Sequence, residues 1–267
     1  MLQEFPPKRP PNPQGTDNPG NARGAHEVLA FASVKAPGAL LAAGRDADIF
    51  EYGPGLVLRR SRNGRSLAHE AQIMEYLAEQ GYPVPRIAEV SDDGCDLVME
   101  RIEGPSMGDY LAKAPWAMRR QAGVLAALHR QLHEVAIPGF LRPAPVGRGT
   151  NIVHLDLHPL NVIVGRNGPV VIDWTNVARG DPAVDVALVW VLVLAGEIPK
   201  NPIAATMTSL GRRLFVNGFI ADFDQREVFD CLADVVAWKA QDSHMSPREV
   251  RAMWRLVERG RQLRHDG

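Results

Sequence analysis

Cysteine is nearly absent. The chain has two in 267 residues, Cys95 and Cys231, far apart and without CxxC-type spacing, so neither a disulfide framework nor a zinc cage is expected, and a reducing cytoplasm is the setting that fits. Excess charge of either sign is also missing: the formal net charge is -1 and the pI about 6.7. Nucleic acid and anionic membrane surfaces usually demand a clear basic excess, so neither partner is expected. The longest apolar run, Val186 to Ala195, falls short of the span needed to cross about 30 Å of hydrocarbon. The opening MLQEFPPKRPPNPQG has no apolar signal-peptide core, so secretion by a cleaved signal is not expected either. No GxxxxGK[ST] occurs, which disfavours a P-loop fold, and no A-P-E segment follows Asp173, as a protein kinase would have.

What is present is an ordinary globular composition, 45% apolar and 23% charged, on a length that allows one large domain or two packed lobes. Residues 1–36 are rich in Pro, Gly and Asn and read as a disordered tail. Strands over Ala47–Phe50 and Leu56–Arg60 flank the turn-rich EYGPG as a hairpin. A helix follows from Ser66 as N-cap, with Leu67, Ala71, Met74 and Ala78 at helical spacing and Gly81 and Pro83 closing it. Glu70 sits on the margin of that apolar stripe and can point inward. Strands over Ile87–Val90 and Asp96–Glu100 flank SDDG, giving β-β-α-β-β. Beyond Gly104 the pattern is helical: Ala122, Leu125, Leu128 and Leu132 mark one long helix, and further helices fit Val184–Leu194, Ile203–Phe219, Gln225–Ala240 and Pro247–Arg261.

The informative segment is HLDLHPLNVIVGRNGPVVIDW, His154 to Trp174. Val162–Val164 and Val170–Ile172 read as two strands of a hairpin whose connection contains Asn167-Gly168. Asn161 immediately precedes the first strand and Asp173 immediately follows the second, so pairing brings them to one end, about 5 Å apart across one strand spacing. A carboxylate and an amide oxygen are hard ligands of the kind magnesium takes when phosphate and water complete its octahedron. Asp156, in the pattern D-x-x-x-x-N, stands where one loop can aim a carboxylate at an incoming hydroxyl while its far end holds the metal.

At these residues the chain resembles the aminoglycoside-phosphotransferase-like branch of the protein-kinase-like superfamily, whose signature runs H-G-D-x-x-x-x-N, a short strand pair, then I-D-W or I-D-F. The resemblance extends from about Leu40 to the C-terminus: Glu70 matches the family's helix glutamate, LVMERIEG (Leu97–Gly104) the hinge, and GDPAVDVA (Gly180–Ala187) the segment after the metal aspartate. It implies an α+β, bilobal protein-kinase-like fold, with a nucleotide-binding N-lobe over 37–102, small and β-rich, and a larger, mostly helical C-lobe over 103–267 that carries the catalytic loop and the acceptor site. It further implies Asp156 as catalytic base, Asn161 and Asp173 as Mg2+ ligands, backbone contacts to the base at Glu100 and Ile102, and a phosphate-covering loop at GRDADIF (Gly44–Phe50). Arg59 takes the place of the phosphate-binding lysine, with Arg60 an adjacent competitor. Leu155 and Leu160 stand where the motif commonly has glycine.

The activity so implied is transfer of the γ-phosphoryl group of ATP or GTP to a hydroxyl of a small molecule. The alternative is a pseudokinase-like nucleotide-binding module. Other residues read as structural: His129 and His133 on or beside a buried helical face, His154 bracing the loop of Asp156, Asp185 bonding that loop's backbone, and Trp190, Trp238 and Trp254 in the core. H-x-D-x-H at His154 and His158 evokes a zinc hydrolase, but further ligands downstream are wanting. Asp222, Asp224, Glu227, Asp230 and Asp234 supply acid that would suit a polycationic acceptor, countered by Arg248, Arg251, Arg255 and Arg259.

Overall fold

The computed structural model describes residues 36–44, 46–196, 199–243 and 245–265, the last five by backbone alone. The tail expected over residues 1–36 therefore lies almost wholly outside the described residues, as does Arg45 of the loop expected to cover phosphates. No described helix is long and apolar enough to cross a membrane.

Five strands form one antiparallel sheet: β1 (Leu40–Ala43), β2 (Ala47–Glu51), β3 (Leu56–Ser61), β4 (Ile87–Val90) and β5 (Asp96–Glu100), in the order β1-β2-β3-β5-β4. β1 joins the four expected strands; its residues are exposed and lack the alternation that marks a half-buried strand. The helix α1 (Ala68–Glu79) lies between β3 and β4 in sequence. It starts later than expected: Leu67 takes the N-cap position, and Ser66 Oγ accepts from the Ala68 N–H at 3.2 Å.

Alternation along β3 sends Val57 and Arg59 to one face and Leu58 and Arg60 to the other. Val57 and Arg59 stand opposite Met99 and Leu97 of β5; Leu58 and Arg60 stand opposite Val98 and Asp96. The buried side chains of α1, Ile73, Met74 and Leu77, join one core with Val57, Leu97 and Met99. The expected strands and the expected first helix therefore form, and their register decides which arginine faces α1.

Past β5 the chain turns at Gly104, whose φ is +150° and where a Cβ would collide with the Val164 carbonyl. The helices are α2 (Met107–Lys113), α3 (Met118–Glu134), α4 (Pro182–Ala195), α5 (Pro202–Ile220), α6 (Gln225–Asp230), α7 (Leu232–Lys239) and α8 (Pro247–His265). The single helix expected over Gln225–Ala240 is two. Cys231, at φ -85° and ψ -5°, stays in the right-handed α region but with ψ well off the ideal helical value, and it separates α6 from α7. Gly260 of α8 packs against Leu232 and Phe229 at this break. Trp190 is buried and Trp238 half-buried against the core, whereas Trp254, expected inside, is 41% exposed on α8.

Two short ladders complete the fold. β6 (Asn151–Val153) pairs with β9 (Ala178–Gly180), and β7 (Val162–Gly165) pairs with β8 (Gly168–Val171), both antiparallel. The register Gly165↔Gly168 makes Arg166 and Asn167 the two turn residues. Gly168 therefore belongs to the strand, one residue away from the turn expected at Asn167-Gly168. Tyr82 crosses from the end of α1 to the helical part, its hydroxyl donating to the Leu128 carbonyl at 3.1 Å and its ring meeting Trp174 edge-on at 5.7 Å.

Candidate active site

The loop after β6 owes its shape to Asp185, on the first turn of α4. Its Oδ1 accepts from the Leu155 N–H at 2.7 Å and its Oδ2 from the His154 N–H at 2.9 Å, with His133 Nε2 at 3.3 Å. Asp185 is 1% exposed. Burial alone would raise its pKa, but the hydrogen bond from His133 and the neighbouring His129, His133 and His154 pull it down to about 2. Leu155 takes φ +61°, the left-handed conformation a glycine would adopt freely, and its side chain is 1% exposed. The leucine thus adopts a left-handed backbone despite its side chain and offsets the strain, about 1 kcal/mol, by burial. Leu157 is also buried. Between two inward leucines, Asp156 is turned out of the core, with its side chain 21% exposed.

Asn161 closes the loop onto Asp156: its Nδ2 donates to the Asp156 carbonyl at 2.9 Å and lies 3.3 Å from Oδ2. His158 Nδ1 accepts from the Leu160 N–H at 3.2 Å, which puts the proton of the neutral ring on Nε2, 3.7 Å from Asp156 Oδ2. Burial lowers the His158 pKa more than Asp156 raises it, so the ring is neutral near pH 7. His154 reaches the residue before Asp173, its Nε2 3.2 Å from the Ile172 carbonyl, and its ring lies 4.5 Å from that of Trp174. It ties the loop of Asp156 to the strand of Asp173, the bracing role expected of it.

The Ile172 N–H donates to the Asn161 carbonyl at 3.0 Å, extending the β7–β8 pairing by one step. Asn161 thus opposes Ile172, and Asp173 comes one residue later at the same hairpin end. Asp173 adopts φ +65°, ψ +67°, which swings the following turn, Trp174–Asn176, away from the strand direction.

Arg59 is shared among three acceptors. Its Nη1 lies 3.2 Å from Glu70 Oε1, and its Nη2 lies 3.1 Å from Asp173 Oδ1 and 3.0 Å from Thr175 Oγ1. Burial raises the Glu70 carboxyl above the usual range despite Arg59. For Asp173 burial is outweighed by the Arg59 charge and by hydrogen bonds from Thr175 and Arg59, and the pKa falls. The difference follows exposure, 5% for the Glu70 side chain against 41% for Asp173. Arg60 faces away and pairs with Asp96 at 2.6 and 2.7 Å. Of the two competing arginines, Arg59 is the one at the site.

Two residues here escaped sequence reasoning. Thr175 Oγ1 sits 2.9 Å from Asp173 Oδ1 and 3.3 Å from Glu70 Oε2; having one proton, it donates to one of them while accepting from Arg59. Lys239 Nζ lies 3.6 Å from Asp156 Oδ1. Its signal was a cation at helical spacing from Leu232, Val235 and Val236. Glu100 is exposed at the end of β5, its N–H donating to the Arg86 carbonyl. Among the described residues the Ile102 N–H has no backbone partner. The acidic residues expected to suit a polycation are partly committed: Asp222 pairs with Arg130, and Asp224 caps α6.

Residues 39–147 and 136–225, together well over half of the chain, match the phosphotransferase enzyme family. Among solved structures, the ADP-bound aminoglycoside phosphotransferase APH(2'')-Ib is 14% identical, with 84% of this chain and 92% of that one covered and a TM-score of 0.55. A choline/ethanolamine kinase family protein from Mesorhizobium loti is 16% identical over 87% and 89%, TM-score 0.52. A thermostable aminoglycoside phosphotransferase APH(4)-Ia mutant, in a ternary complex with AMP-PNP and hygromycin B, is 15% identical over 86% and 96%, again at 0.52. No curated protein matches at a comparable level. These likenesses are of fold, the bilobal kinase-like arrangement of a sheet lobe and a helical lobe. The family match covers β1 to the start of α6, including Arg59, Glu70, Asp156, Asn161 and Asp173, and on it the chain belongs to the phosphotransferase enzyme family.

Proposed function

We propose that the chain transfers the γ-phosphoryl group of ATP or GTP to a hydroxyl of a small molecule in the cytoplasm, residues 37–102 binding nucleotide and residues 103–267 carrying the catalytic loop and acceptor site. The observation that carries this reading is the linkage of three residues: Asn161 bonded to Asp156, and Asp173 following the strand residue bonded to Asn161. Asp156 would take the proton of the acceptor hydroxyl as its oxygen bonds to the γ-phosphorus and the bond from that phosphorus to the bridging oxygen breaks, releasing the nucleoside diphosphate. Arg59, held by Glu70, would counter phosphate charge, and the Glu100 carbonyl and Ile102 N–H would meet the base.

Asn161 and Asp173 are the residues that would hold Mg2+, and their chemistry fits. The Asn161 amide nitrogen is turned to Asp156, which leaves its carbonyl oxygen as the ligand atom, and Asp173 stays ionised because its pKa is depressed. Bound there with phosphate oxygens, the ion would neutralise charge developing on the transferred group. Solved relatives described with ADP and with AMP-PNP support a nucleotide donor.

Phosphate transfer from labelled ATP and GTP to a panel of amino alcohols, sugars, macrolides and aminoglycosides tests the reading. Asp156→Asn should lower turnover at least about 100-fold while the protein still binds nucleotide. Asn161→Ala and Asp173→Ala should each raise the magnesium concentration needed for half-maximal rate. Near-wild-type turnover in Asp156→Asn, or unchanged magnesium dependence in both alanine variants, would sink it.

A further inference from the structure

The buried face of α7 carries Leu232, Val235 and Val236, and the next position on it is Lys239. The lysine is 7% exposed. An ammonium among apolar side chains is costly unless paired, and this one is paired twice: Nζ lies 3.1 Å from Asp242 Oδ2 and 3.6 Å from Asp156 Oδ1. The first contact is local, three residues along the chain just past the end of α7. The second reaches the catalytic loop.

The two oxygens of Asp156 are therefore met by different elements. Oδ2 faces Asn161 Nδ2 at 3.3 Å and His158 Nε2 at 3.7 Å, both within the loop. Oδ1 faces the lysine of α7. Contacts on one oxygen alone leave a carboxylate able to turn about its Cβ–Cγ bond, whereas a further contact on the other oxygen, from a separate rigid element, removes that rotation.

We propose that Lys239 is a positioning residue for phosphoryl transfer: anchored by Asp242, its ammonium fixes Asp156 Oδ1 and so sets the direction in which the carboxylate meets the acceptor hydroxyl. The inference rests on the role proposed for Asp156. It adds a residue beyond the D-x-x-x-x-N segment and makes the end of α7 part of the machinery.

The test is magnesium-dependent hydrolysis of ATP by the full chain, water standing in for the acceptor, with thermal melting of each variant. Lys239→Met leaves two acids without the cation between them, so it is paired with a second variant, Lys239→Met with Asp242→Asn, which removes the charge of one of those acids and so lowers the cost of burying them. Both are expected to lose about 10–100-fold in kcat, the scale of a slightly misplaced reacting group, with KM for ATP within about two-fold. Lys239→Arg should recover part of the loss, and the melting temperature should return towards wild type in the double variant without kcat following it. A double variant with wild-type kcat overturns the proposal, as does a kcat that recovers in step with the melting temperature. Asp156→Asn in the same assay separates the two readings. If it turns over normally, the assignment of Asp156 has failed; if it is inactive while the double variant is active, the role given to Lys239 alone has failed.

Discussion

Asp185→Asn strikes the clamp that shapes the loop of Asp156. In the native chain each carboxylate oxygen receives one backbone N–H, at 2.7 and 2.9 Å, and at 1% exposure water cannot substitute. An amide has one acceptor oxygen, so one N–H would lose its partner and face an NH2 group instead. Losing a hydrogen bond to a charged group costs about 1.5–3 kcal/mol and stranding a buried donor about 1–3 kcal/mol. A second route uses the proton. The carboxyl is held at about 2 against an ordinary 3.8, and at about 1.4 kcal/mol per unit the native state favours the charged form by about 2.5 kcal/mol. Both routes meet near 3 kcal/mol. Because the folded pKa is the depressed one, this contribution is complete above about pH 3.8 and is lost as the pH falls towards 2. Urea unfolding at pH 7 should therefore show Asp185→Asn less stable by about 3 kcal/mol, with the gap to wild type closing on acidification through that window. ATP hydrolysis should fall as well, since the loop is no longer fixed. A loss below about 1 kcal/mol at pH 7, or a gap that persists unchanged to pH 2, would refute the reasoning.

His129 should titrate in a different window. Burial holds its pKa at about 4 against an ordinary 6.5, with Nδ1 2.9 Å from the Leu125 carbonyl and the ring 5.1 Å from that of Phe219; the folded state resists protonation, so about 3 kcal/mol of stability is lost as the pH falls from 6.5 to 4. His129→Leu should remove that share of the acid sensitivity in urea unfolding, and an unchanged slope would count against it. Arg59→Ala and Glu70→Ala should each raise the apparent KM for nucleotide or lower turnover, and the double variant should be less impaired than the product of the single effects, because the pair is partly buried and coupled. Arg60→Ala should leave activity nearly intact and cost at most about 1 kcal/mol, its pair with Asp96 being half exposed on the arginine side; damage from Arg60→Ala with a silent Arg59→Ala would reverse the assignment.

Much of this was legible because its signals are local. β3, α1 and the β7–β8 hairpin each carry their pattern within a dozen residues, and the spacing of Asp156, Asn161 and Asp173 follows from one loop and one hairpin. Strand alternation also told Arg59 from Arg60 once the register was known, but the sequence alone does not say which face of β3 meets α1. The rest was settled by partners distant along the chain. Lys239 looks like a misplaced surface lysine until Asp156 is beside it. The break at Cys231 sits where Gly260 of α8 packs closely. β1 is paired on one side with β2 yet exposed, so no hydrophobic pattern announces it. Trp254 illustrates the converse, a large aromatic on an apolar-looking stripe that stays 41% exposed among the described residues.

The β7–β8 hairpin also acts as a ruler. At one end Gly165 packs near Ile102, and the Val164 N–H bonds the Pro105 carbonyl at 2.9 Å, so that end is fastened to the linker between the lobes. At the other end stand Asn161 and Asp173. At a rise of about 3.3 Å per residue, the four steps from Gly165 back to Asn161 set a separation of about 13 Å between the linker and the end that carries Asn161 and Asp173, fixed by backbone pairing and independent of any side chain. Deleting one residue from each strand would shorten that span by about 3.3 Å and turn the side chains beyond the deletion to the opposite face. Deleting two from each would keep the facing but shorten it by about 6.6 Å. The reach between the two ends is thus written in a count of residues, and the chain can change it only in steps.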